Sequence, residues 1–243
     1  MRRLARSSGL AATALLLFCA TFVAGGPAVY IRVVTVEREY GSGGAMIARQ
    51  LAGRLGWKLW DEELTAEIAR VAQVDHRVAA SCDERVDSLL YRLFKVYARG
   101  SYERALPIGE ARPFDTDRMF SMIERVIRDV SSRGPCVIVG RGSTYFLRER
   151  SDAFHVFVYA PLDEKLRRVR SLGKSEKEAR QLIEEIDRDR AAFIRHYFNS
   201  EWPHRPLYHL LINSKFGDEY VIAMLLQQIA SLEKLTPHEP ARV

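Results

Sequence analysis

Four residues, Gly41-Ser42-Gly43-Gly44, separate a β-branched apolar run from a segment with helical spacing. A strand that ends in such a loop and runs into a helix points backbone N–H groups and the positive end of the helix dipole at one spot, where a phosphate is stabilised. Taken alone, three glycines in four residues fit a tight turn as often as a nucleotide cradle. The loop also departs from the pattern G-x-x-x-x-G-K-[ST]: counted back from the helix, Gly44 stands at the lysine and Met46 near the hydroxyl. The basic side chain nearest the loop is Arg38, which either reaches the phosphates from the other side or pairs at the surface with Glu37 or Glu39. Ser42 is a further candidate for a phosphate contact.

Arginines form two other groups. Moving a phosphoryl group requires holding two anionic substrates and neutralising the charge that develops between them, a task suited to guanidinium groups. Arg141 lies between Gly140 and Gly142 after the apolar run Cys136 to Val139. That places it at the carboxyl end of a buried strand, where open α/β sheets bind ligands. The alternative is a structural arginine capping a neighbouring helix. Arg188 and Arg195 are seven residues apart, two helical turns, and so share one face, with Asp189 beside them. Arg167, Arg168 and Arg170 precede them across a glycine hinge at Gly173, an arrangement like a lid. The competing reading is a solvated helix laced with ion pairs from Glu184 and Glu185.

The elements that position these residues alternate. Tyr30 to Glu37 reads as a buried strand, and the helix from Ala45 carries Ile47, Leu51 and Leu55 and stops at Gly56. Trp57 to Trp60 is a short strand candidate, and Asp61 to Gln73 a helix. Asp115 caps a helix that ends at Arg133-Gly134-Pro135. Cys136 to Gly140 and His155 to Tyr159 read as central parallel strands, and Leu207 to Asn213 as the last strand. Helices are expected over Asp163 to Leu172, Ser175 to Tyr197 and Asp218 to Leu232. The fold class is therefore α/β, a parallel sheet covered by helices on both faces.

With 243 residues, 47% of them hydrophobic, the chain can bury the core of one domain. The expected division is an N-terminal segment 1–28, a domain over 29–233 and a disordered tail 234–243. Within the domain, 74–115 is read as a variable substrate-covering region and 170–200 as the lid. Of the formal net charge of +6, Arg2, Arg3 and Arg6 supply half, leaving +3 from residue 29 onward because 7–28 carry no charge. A mildly basic remainder suits small-molecule nucleotides and argues against a nucleic acid polymer as partner. Cys19, Cys82 and Cys136 are too far apart for a disulfide framework or a zinc site, and His204 and His209 lack a partnering cluster. The N-terminal arginines followed by an apolar centre have the layout of a signal peptide, or of a membrane anchor over residues 10–31. The rival is that 1–28 is an extension ahead of a start at Val29, with the domain in the cytoplasm, where ATP is.

Three stretches together resemble the cytidylate kinase-like family of P-loop nucleoside monophosphate kinases, over about residues 30–230. They are V-T-V-E-R-E-Y-G-S-G-G at 34–44, C-V-I-V-G-R-G at 136–142 and I-D-R-D-R-A-A-F-I-R at 186–195. The resemblance implies a P-loop nucleoside triphosphate hydrolase or nucleotide kinase type of fold with a helical lid. It implies transfer of the γ-phosphate of ATP, with Mg2+, to CMP, dCMP or a related monophosphate. It places Gly41, Ser42, Gly43 and Gly44 on the donor phosphates with Arg38 nearby, Arg141 and Asp61 at the acceptor, and Arg188, Asp189 and Arg195 in the lid as catalytic residues. Asn213 and Ser214 fall at a short polar turn after the last strand. Two departures accompany it. Relatives of this kind often follow the loop with arginine and glutamate, where this chain has Ala45 and Met46, and Gly142 replaces the aspartate of cytidylate kinases proper. The acceptor base and the magnesium ligand are therefore left open, and the alternative is a catalytically impaired nucleotide-binding regulatory protein of the same fold.

Overall fold

The computed structural model describes residues 30–64, 66–68, 70, 71 and 116–235. The segment 1–28 with the anchor expected over 10–31 (30 and 31 apart), the covering region 74–115, the cap at Asp115 and positions 236–243 of the expected tail lie outside the described residues. Five strands, β1 (Val33–Arg38), β2 (Lys58–Trp60), β3 (Cys136–Val139), β4 (Ala153–Tyr159) and β5 (Leu210–Asn213), form one sheet in the order β2-β3-β1-β4-β5. Every pairing is parallel, with Val36 opposite both Val139 and Val156 at the centre. All five carboxyl ends consequently lie along one edge. Connections leave β1 toward β2 on one side and reach β4 on the other, so the crevice of the sheet opens beside β1.

The α-helices are α1 (Gly44–Leu55), α2 (Thr116–Ser132), α3 (Ser143–Phe146), α4 (Leu162–Arg170), α5 (Glu176–Phe198) and α6 (Asp218–Leu235); helical residues also follow β2 between 62 and 71. Strand alternation sorts the core into two layers. Val34, Val36, Val137, Val139, Val156 and Val158 pack against Ile47 and Leu51 of α1 and Val221, Ile222 and Leu225 of α6. Val33, Cys136 and Ile138 face the other way, onto Leu64, Ile68 and the α2 residues Val126, Ile127 and Val130. Both faces of the sheet are thus covered, as the apolar runs predict.

Helix boundaries follow local chemistry. Gly56 takes the left-handed conformation (φ 67°) at the end of α1, where its N–H reaches the carbonyls of Ala52 and Gly53. Ser175 opens α5 with a capping box: its side chain accepts from the Glu178 N–H while the Glu178 carboxylate accepts from the Ser175 N–H at 2.8 Å. The last strand is shorter than Leu207 to Asn213, because Pro206 lies in a 3-10 turn over Arg205–Leu207 and pairing with β4 begins only at Leu210. None of the helices among the described residues is long and apolar enough to cross a membrane.

Candidate functional site

The loop between β1 and α1 is a braced turn. Gly41 and Gly43 have φ of 77° and 80°, a region that costs any other residue steric strain. The Ser42 hydroxyl donates to the Glu39 carbonyl at 2.8 Å, and the buried Ser214 hydroxyl donates to the Ser42 carbonyl at 2.6 Å. The Tyr40 N–H donates to the Asp187 carboxylate at 2.7 Å. No side chain caps α1, and the N–H groups of Gly44, Ala45 and Met46, in its first turn, have no acceptor within the helix. The loop therefore presents backbone donors, while the hydroxyl of Ser42 is turned back into the turn itself. A Cβ on Gly44 would stand 2.5 Å from the Arg38 Cβ, so the approach of strand and helix permits only glycine there.

Arg38 does not lie at the surface, nor does its guanidinium point along the loop. It crosses to the end of β3, where a Cβ on Gly140 would stand 2.1 Å from its Nη1. There it joins Glu37, Asp61, Arg141 and Arg190, all at 4% exposure or less. Three guanidinium groups meet the carboxyl groups of Glu37 and Asp61, and Asp187 brings a third carboxyl to Arg190. Burial lowers the Arg38 pKa to about 10, assisted by repulsion from Arg190 and opposed by Asp61 and Glu37. Burial likewise raises the Glu37 carboxyl above its ordinary range, against the pull of Arg38 and Arg190. Arg190 donates to the Arg38 carbonyl at 2.8 Å and lies 3.3 Å from the Asp187 carboxylate.

Arg141 sits in an unusual backbone. Gly140, Arg141 and Gly142 all have positive φ, 67°, 60° and 70°. A Cβ on Gly142 would press on the Phe198 ring at 3.0 Å, so glycine is required on both sides. Holding an arginine in this region costs on the order of 1 kcal/mol or more, and such strain gathers where a side chain must be aimed at a ligand. Beside it, Asp61 Oδ1 and Ser143 Oγ are buried with no hydrogen-bond partner among the described residues. Loop, Arg141 and Asp61 thus stand at the ends of β1, β3 and β2, three neighbouring strands.

The third group divides differently. Arg188 and Arg195 do share a face, lining a shallow groove of about 360 Å3 with Ala191, Ala192 and His196, but both are exposed and this face is turned to solvent. Asp189 is half-buried, with its carboxyl raised by burial and by Glu185. The face of α5 turned to the loop carries Asp187 and Arg190 instead. The signal for this was present in the apolar positions Ile183, Ile186, Phe193 and Ile194, all buried, with which residue 190 is in helical phase and residues 188 and 195 are not.

Helix α4 supplies two cations at the loop: Arg168, expected in the lid with Arg167 and Arg170, and Lys165, which the sequence did not mark. Lys165 lies across Gly41 and divides its ammonium between Glu39 at 3.1 Å and Asp187 at 3.3 Å. The Arg168 guanidinium lies against Gly43. Among the described residues no three His, Cys, Asp or Glu side chains gather as a metal site. His209 instead stacks on His155 and accepts from its N–H.

A parallel sheet in this order, with a glycine loop between its central strand and first helix and arginines at the neighbouring strand end, defines a P-loop kinase fold. The chain belongs to the Cytidylate kinase-like family, whose model matches residues 33–215. Among solved structures, an uncharacterized protein from Eubacterium ventriosum is 21% identical at a TM-score of 0.59, covering 82% of this chain and 98% of its own. A shikimate kinase from Acinetobacter baumannii, solved with shikimate, is 17% identical at a TM-score of 0.45, covering 84% and 95%. The former likeness is one of fold. No curated protein matches the chain.

Proposed function

We propose that this kinase-like domain transfers the γ-phosphate of ATP to CMP, dCMP or a related nucleoside monophosphate. The observation that carries the reading is the strained Gly140-Arg141-Gly142 turn set directly beside the glycine loop, on adjacent strand ends. The loop fits a polyphosphate: no side chain caps α1, so the N–H groups of its first turn are left for an anion at the helix start. Arg141 holds the acceptor phosphate, with the buried guanidinium groups of Arg38 and Arg190 behind it. An oxygen of that phosphate attacks the γ-phosphorus in line, the bond to the β-phosphate oxygen breaks, and ADP leaves with the electron pair. No side-chain nucleophile takes part.

Arg188, Asp189 and Arg195 would meet the transferred group only if α5 turned from the position seen here, so we assign the inward cation of that helix to Arg190. The described residues do not make a magnesium site of their own, since Met46 stands near the position of the hydroxyl; magnesium would arrive on the nucleotide.

A coupled assay of the full chain with Mg-ATP and each monophosphate in turn tests this reading, and turnover with at least one acceptor is the expected result. The absent loop lysine and hydroxyl favour a second reading, a nucleotide-binding regulatory protein without activity. Calorimetric binding of nucleotide with no transfer to any acceptor would select it.

A further inference from the structure

The loop between β1 and α1 carries no cation of its own. Residues 40–44 contain no lysine or arginine, and the nearest, Arg38, directs its guanidinium to the end of β3. In loops of the G-x-x-x-x-G-K-[ST] pattern a lysine reaches the β- and γ-phosphates. We propose that Arg168, from α4, takes that place and binds the donor phosphates over Gly43. This inference rests on the reading of the loop as the site of a nucleoside triphosphate.

The geometry is specific to this side chain. A Cβ on Gly43 would stand 2.2 Å from Arg168 Nη1 and 3.0 Å from Cζ, so the guanidinium lies on the loop backbone in the volume that a residue other than glycine would fill. It is half-buried and fixed at three points. Nε donates to Glu164 at 2.9 Å, Nη1 to Asp218 at 2.8 Å and Nη2 to the Ser214 carbonyl at 3.4 Å. A guanidinium has five N–H groups in a rigid plane. Among the described residues these three bonds orient the plane and leave two N–H groups for a ligand lying against Gly43. Asp218 opens α6 and Ser214 ties the same turn to the Ser42 carbonyl, so the elements that brace the loop also hold the arginine. Lys165, the other α4 cation at the loop, is like Arg168 bonded to two carboxylates but lies over Gly41, farther from the start of α1. Asp218 is accordingly a positioning residue acting through Arg168.

The test is calorimetry of the full chain with a non-hydrolysable ATP analogue and, separately, with inorganic tripolyphosphate. Arg168→Met should weaken both by about tenfold or more, the range of a charge-assisted contact. Arg168→Lys should recover part of that loss, and Arg180→Met, which removes an exposed charge, should change neither. CMP binding in the absence of donor should be the same in all. Asp218→Asn should weaken the analogue less than Arg168→Met and add nothing to it in the double variant, as expected for groups acting in series. Arg168→Met that binds both probes like the wild type overturns the assignment, and if that variant does not fold, Arg168→Lys with full affinity for the analogue and Asp218→Asn without effect overturn it equally. A wild-type chain that binds neither probe overturns the loop reading as well, an outcome distinct from the loss of Arg168 alone.

Discussion

At the scale of single residues, the account depends on which arginines face inward. Arg141 is held in a left-handed conformation between two glycines, so its position is set by backbone, and in the proposed function its side chain meets the acceptor. Arg141→Ala should raise the KM for the monophosphate about tenfold or more and leave the KM for ATP nearly unchanged, as initial-rate kinetics would show. Arg190 is different, because it is buried among Glu37, Arg38 and Asp187. Removing one member of a buried charge network leaves the others uncompensated, so Arg190→Met should cost about 3–5 kcal/mol in urea unfolding. Arg188→Met, two residues away but exposed, should stay within about 0.5 kcal/mol.

Among the elements, α5 carries both the inward pair Asp187 and Arg190 and the outward pair Arg188 and Arg195. Its start is fixed by the Ser175 capping box, so Ser175→Ala should lower stability by about 1 kcal/mol and speed hydrogen exchange in the first turn. The elements themselves were legible in the sequence because apolar spacing and glycine punctuation are local signals: the end of α1 at Gly56 and the strands at Cys136 and His155 follow from them. The position of Arg38 was not legible. A charged residue ending a strand reads as a surface group, and its turn toward Gly140 depends on Asp61 and Arg190, brought in from distant parts of the chain. The same holds for Arg168, whose contact with Gly43 follows from the packing of α4 beside the loop, signalled in sequence only by the buried Val169 next to it.

For the molecule as a whole, a buried polar line crosses the second core layer beneath the site. The Thr35 hydroxyl lies 2.8 Å from Thr144 Oγ1 and 2.7 Å from His155 Nδ1, linking β1, α3 and β4. Burial, and then the neighbouring His209, lower the His155 pKa from 6.5 to about 4. The folded state therefore favours the neutral ring, and its contribution is full above about pH 6.5 and is lost as the pH falls toward 4. The raised Glu37 and Asp187 carboxyls act in the opposite sense, so the effect is read by difference. Wild type should lose up to about 3 kcal/mol relative to His155→Asn between pH 7 and pH 4 in denaturant titrations. A parallel pH profile for the two proteins would contradict it. The arrangement that matters most is nonetheless at the other edge, where three parallel strands bring the loop, Arg141 and Asp61 together. Label transfer from ATP carrying 32P in the γ-phosphate to a nucleoside monophosphate tests that arrangement most directly. The account predicts labelled nucleoside diphosphate, formed more slowly by Arg141→Ala when the monophosphate is below its KM; label released only as inorganic phosphate, or retained in ATP with every acceptor, would contradict it.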